Sequence, residues 1–137
     1  MHNLLFQQNI NGIAEKYSLK LLIYFGSYGT SLYNNDSDID IAFLSVDSLS
    51  ESEKIKLLED LIKIHRKSEI DLVDLRTAEP ILRYEIAVNG RVLYEKEEYL
   101  FERYRLFYIK RFYELKPVIE EELKNISMAI REVLEDA

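Results

Sequence analysis

Short wholly apolar runs alternate along this chain with longer stretches in which apolar residues recur every three or four positions. That alternation predicts a small protein of strands and helices together. The run Leu21-Leu22-Ile23-Tyr24-Phe25 predicts a buried strand over residues 20–25. Asp38 to Leu44 reads as a second strand, Glu69 to Leu75 as a third, and Arg91 to Tyr94 as a short one at an edge. Residues 3–18 carry a rough helical stripe of Leu4, Leu5, Ile10, Ile13 and Tyr17, weakened by Gly12. Ser50 with Glu53 forms a capping box before a helix whose face bears Ile55, Leu58, Leu61, Ile62 and His65. Thr77 is expected to cap a helix through Pro80, Leu82, Ile86 and Val88, which Asn89-Gly90 would stop. Tyr28 to Leu32 is expected to form a short helix, followed by a turn over Asn34 to Ser37. From Glu97 onward the pattern is helical, with Pro117 as a kink or a break.

The helical tail is rich in aromatics. Tyr99, Phe101, Tyr104, Phe107, Tyr108, Phe112 and Tyr113 fall within one short span. Phe101, Tyr104, Tyr108, Phe112 and Leu115 form a stripe that Ile119, Leu123, Ile126, Ile130 and Val133 extend, while Leu100, Phe107 and Ile109 lie outside it. A helix apolar on more than one face needs cover on more than one side. Packing on the sheet and against the first helix is the expected cover. A partner surface between Leu100 and Leu115 is the functional alternative. Arg103, Arg105, Lys110, Arg111 and Lys116 make this stretch basic, which reads as a solvated face or a match to an acidic partner.

Composition narrows the classes. A length of 137 residues suits one domain, and 47% hydrophobic residues suffice for a proper core. A formal net charge of −7 argues against direct nucleic-acid binding as the main task. The absence of cysteine rules out disulfides and thiolate metal sites and fits a cytoplasmic location. No apolar run is long enough for a membrane span, and the first residues lack the pattern of a signal peptide.

The candidate chemistry lies between Gly26 and Asp40, in GSYGTSLYNNDSDID. Gly26-Ser27 directly follows the first strand, where a glycine turn lets backbone N–H groups approach a phosphate. Asp38 and Asp40 are two apart and share one face of the second strand. Adjacent carboxylates repel unless a cation neutralises them, and a hard ion such as Mg²⁺ takes oxygen ligands. Asp71, in the third strand, can join them if the two strands are neighbours; Asp74, nearer the strand's exit, is the less favoured third acid. Tyr28 and Tyr33 flank the turn and are either core aromatics or a stacking platform for a base. His65 reads as a helix-terminal or surface residue, and His2 as a disordered terminal one.

Gly-Ser, ten residues, then Asp-x-Asp, with a later Asp in an apolar strand, resembles the nucleotidyltransferase superfamily of DNA polymerase β and kanamycin nucleotidyltransferase. The matching positions are Gly26, Ser27, Asp38, Asp40 and Asp71. Over residues 20–95, and most of all in IDLVDLRTAEPILRYEIAVNGRVLYE from Ile70 to Glu95, the chain is similar to the minimal nucleotidyltransferases called MntA, antitoxins paired with HepT toxins. The resemblance implies an α/β (α+β) fold: a small mixed sheet flanked by helices, with a nucleotidyltransferase core at 1–96 and a helical extension at 97–137. It implies transfer of AMP from ATP to a tyrosine hydroxyl of a HEPN-type RNase toxin, with two Mg²⁺ ions. Asp38 and Asp40 would hold both ions and Asp71 the ion on the acceptor oxygen, while Gly26 and Ser27 would bind the leaving phosphates. Two other readings stand beside it: a non-catalytic module that sequesters the toxin, and a nucleotidyltransferase acting on a small molecule such as an antibiotic.

Overall fold

A computed structural model describes residues 3–136; His2 lies outside the described residues. The elements run α1 (Leu4–Lys16), β1 (Leu19–Phe25), β2 (Ile39–Ser45), α2 (Glu51–His65), β3 (Ile70–Asp74), α3 (Pro80–Asn89), β4 (Arg91–Glu95) and α4 (Leu100–Asp136). The strands form one sheet in the order β3-β2-β1-β4. β1 pairs antiparallel with β2 and with β4, and β2 pairs parallel with β3. The mixed sheet and edge position of β4 agree with expectation. A parallel pair needs a crossover connection, and α2 provides it.

Strand alternation sorts the core into two clusters. Leu22, Tyr24, Ile39, Ile41 and Phe43 face α1 and α2, where Ile10, Leu57 and Leu61 are fully buried. Leu21, Ile23, Phe25 and Ala42 face the other way, against Ile86 and Ala87 of α3 and Phe101 and Tyr104 of α4. Each fully buried leucine contributes about 1.5–3 kcal/mol. The sheet is thus the middle of three layers, which is why β1 carries no polar alternation.

Local chemistry fixes the ends. Asn3 caps α1, its Oδ1 accepting from Phe6 N at 2.8 Å. Ser50 and Glu53 form the expected capping box on α2, with both bonds at 3.1 Å. Two expectations are corrected. Tyr28 to Leu32 is a succession of turns, not a helix. The carbonyl of Ser27 accepts from Thr30 N at 2.9 Å and Thr30 Oγ1 at 2.6 Å, and Gly26 and Gly29 adopt φ of +72° and +81°. Thr77 does not cap α3; its N–H donates to Asp74 O at 3.2 Å, and the helix begins at Pro80 after Glu79. Proline is pre-organised for a first helical position, where its missing N–H costs nothing. Gly90 ends α3 as expected, at φ −67°. It is needed for closeness: a Cβ there would sit 2.7 Å from Ile23 Cγ2 and 2.8 Å from Phe101 Cζ.

α4 runs unbroken through Pro117. Its first half packs on α3, where Phe112 stacks on Tyr84 with ring centres 4.1 Å apart. From Glu120 to Asp136 every residue is exposed.

Candidate active site

Gly26 leaves β1 in a conformation that side chains disfavour, and a second constraint acts on it. A Cβ at this position would collide with Oδ2 of Asp40. The cause is the antiparallel register, which pairs Phe25 with Asp40 and so sets the turn against the carboxylate. The glycine that opens the turn and the acid that follows it are therefore one piece of geometry.

The parallel register brings in the next acid. Asp40 pairs with Asp71, one rung beyond Ile39 with Ile70. Their side chains lie on the α3 side, as the neighbours Ala42 and Val73 show by packing in that cluster. Asp38 stands just before β2 and, like Asp71, is exposed, whereas Asp40 is half-buried. Burial first, then the charges of Asp71, Asp38 and Glu85, raises the Asp40 carboxyl above the usual aspartate value. Asp74 sits on the opposite face. Its Oδ1 accepts from Arg76 N at 2.9 Å, and its Oδ2 lies 3.4 Å from Lys54 Nζ, an ion pair rather than a well-formed hydrogen bond.

Two residues at the site escaped the sequence reading. Arg91, at the start of β4, places its Nη2 2.9 Å from Gly26 O and 2.7 Å from Tyr28 O. One guanidinium thus ties the two ends of the turn to the far side of β1. Glu85 of α3 adds a third negative charge to the field at Asp40. No spacing pattern marks either; a lone basic residue after Gly90 was the only available signal for Arg91.

Tyr28 and Tyr33 turn towards each other, with ring centres 5.1 Å apart, and Tyr28 also packs on Tyr24 at 4.9 Å. His65 ends α2 beneath them: its Nδ1 donates to Leu61 O at 2.8 Å, so Nε2 accepts from the Tyr24 hydroxyl at 2.6 Å. Burial pushes the Tyr24 phenol up, which suits a donor that keeps its proton. His65 thus supports the floor below the turn.

Among the described residues no three His, Cys, Asp or Glu side chains converge as they stand into a ligand cage. The donor set nonetheless fits a hard cation. Asp38, Asp40 and Asp71 offer only carboxylate oxygens, and the like-charge repulsion that adds to burial in raising Asp40 is what a divalent ion would relieve.

The family described as "Polymerase beta, Nucleotidyltransferase" matches residues 8–99, which include the glycine turn and all four aspartates considered above. The chain is 35% identical over 80 residues to the protein adenylyltransferase MntA of Shewanella oneidensis, covering 58% of this chain and 57% of that one. It is 28% identical over 123 residues to the protein of the same name from Aphanizomenon flos-aquae, covering 79% and 78%. The chain's match thus spans little more than half the length of the Shewanella relative. A solved structure of a toxin-antitoxin with AMP-PNP is similar at a TM-score of 0.74 and 25% identity, covering 88% of this chain and 98% of that one. Another, of a tri-AMPylated Shewanella oneidensis HEPN toxin in complex with MNT antitoxin, gives 0.69 and 26%, covering 90% and 97%. The register that sets Asp40 beside Asp71, behind a glycine turn that Asp40 itself crowds, is thus found in a chain that belongs to the polymerase β nucleotidyltransferase family.

Proposed function

We propose that this chain is an Mg²⁺-dependent antitoxin that transfers AMP from ATP to a tyrosine hydroxyl of a partner HEPN-type RNase toxin. The observation that carries the reading is the rung shared by Asp40 and Asp71, with Asp38 at its mouth and Gly26 against it. The likeness to MntA proteins and to toxin-antitoxin structures supports the choice of donor and partner. The core, residues 1–96, carries the chemistry, and the extension at 97–137 serves the partner.

The reaction joins the tyrosine oxygen to the α-phosphorus and breaks its bond to the β-phosphate bridging oxygen, so pyrophosphate leaves. The Gly26-Ser27 turn receives the β- and γ-phosphates; Arg91 holds that turn in place by its carbonyls. Asp71, exposed on the acceptor side, takes the tyrosine proton as a positioned base. Asp38, Asp40 and Asp71 would hold the Mg²⁺, which supplies charge neutralisation at the attacking and leaving oxygens. Asp40, which lies against the turn and whose carboxyl is raised by burial and then by the charges of Asp71, Asp38 and Glu85, gains from that neutralisation.

The test is to incubate the chain with ATP, Mg²⁺ and the product of the adjacent open reading frame, expected to be a HEPN-type protein, and to weigh the products. Added mass in units of AMP is expected, and Asp38→Asn with Asp40→Asn should abolish it while the fold survives. Tight binding without added mass would favour sequestration, and modification of a small molecule alone would favour the antibiotic-type reading.

A further inference from the structure

The second half of α4 is a surface built and left open. Ile119, Leu123, Ile126, Ile130 and Val133 recur at spacings of four, three, four and three, the repeat of a helix seam that packs against another helix. In the first half of α4 the same stripe is covered, since Phe101 and Tyr104 are buried and Phe112 lies on Tyr84. Past Ile119 the helix overruns α3, and Pro80, Ile81, Ile119, Leu123 and Ile126 line a shallow groove where α3 begins. Beyond it Ile126 is 56% exposed, Ile130 55% and Val133 68%. From Ile119 to Asp136 the helix extends about 26 Å at 1.5 Å per residue. Scattered exposed apolar residues need no explanation, but a continuous seam on one face does.

Charge selects what covers it. The positions that flank the seam are Glu120, Glu122, Ser127, Ala129, Leu134 and Asp136: three acids and no base. Lys124 and Arg131, the only bases past Pro117, project away from the seam. A second copy of this helix would set acid against acid, in particular Glu122 near Asp136 of an antiparallel mate, which is destabilising. A helix with its own apolar seam and Lys or Arg at the flanks fits both features.

We propose that Ile119 to Leu134 of α4 is the docking surface for a basic-flanked amphipathic helix of the partner toxin. This rests on the toxin-antitoxin reading, and it places the contact beyond Leu115, where α4 has left its own core. The helix then holds the partner while the sheet presents the nucleotide.

The test uses the full chain with Ile126→Glu and Ile130→Glu, both exposed, and measures affinity for that same HEPN-type gene product by calorimetry. A loss of at least tenfold is expected, with helix content and affinity for AMP-PNP within twofold of wild type. Glu120→Lys with Glu122→Lys should weaken the same complex several-fold. If the glutamates cost helix content, Ile126→Ser with Ile130→Ser repeats the test with the same expectation. Partner affinity within twofold of wild type would overturn the proposal. So would a wild-type dimer that the glutamates turn into a monomer, because the occupant would then be a second copy. Wild-type chain that fails to bind the HEPN-type protein overturns both this surface and the antitoxin reading. Binding without AMP transfer overturns the transfer reading alone.

Discussion

Asp71 and Asp74 lie three residues apart on one strand and meet opposite fates. Asp71 is exposed on the α3 side, level with Asp40, and among the described residues no ion pair joins either to a base. Asp74 faces α2, its side chain only 7% exposed, fixed between Lys54 and the backbone of Arg76. One face of β3 keeps its negative charge unneutralised; the other cancels it. The same strand pairs Asp74 with a base, so Asp40 and Asp71 standing without an ion-paired base among the described residues is what the proposed cation site calls for, while Asp38 feels the charge of Lys67.

The contrast can be broken most forcefully by Asp71→Ala beside Asp74→Ala. Asp71→Ala should lower AMP transfer about 100-fold or more, roughly 2.7 kcal/mol of barrier, and leave stability within about 0.5 kcal/mol. Equal transfer rates in mass-spectrometric time courses would remove Asp71 from the chemistry. Asp74→Ala should do the reverse. Losing the ion pair and the acceptor for Arg76 N should cost about 1–3 kcal/mol in urea unfolding, with transfer within about twofold of wild type. A stable variant with impaired transfer would exchange the roles assigned to the two acids.

A smaller effect sharpens the same contrast through pH. Asp40 holds its proton more tightly folded than unfolded, because burial and its acidic neighbours raise its pKa. Stability therefore falls as pH rises from the ordinary aspartate value through the raised one, and recovers as pH drops back through it. Asp40→Asn should flatten that part of the profile and leave the chain the more stable of the two at neutral pH. Parallel urea-midpoint profiles for variant and wild type would show that no charge strain resides at Asp40.

The glycine turn and Asp38, Asp40 and Asp71 were legible in the sequence because their geometry is local: strand period two, and a glycine where a chain must turn sharply. The shared rung was not, because parallel pairing of β2 with β3 depends on where α2 returns the chain. Arg91 and Glu85 were invisible for the same reason, as they approach from β4 and α3. The short helix expected over Tyr28 to Leu32 failed against two positive-φ glycines and a hydroxyl that closes a turn on Ser27. Pro117 proved no break. Proline at this position removes one helical N–H, and the helix carries on through it to Asp136.

β3 is an outer strand, bonded to the sheet along one side only, by β2. Whatever is gripped between Asp40 and Asp71 therefore also laces the margin of the sheet to its middle. On the proposed reading, loading the nucleotide and fastening that margin would be a single equilibrium, and a chain that has just let go of its cargo would be loosest along the strand that must receive the next.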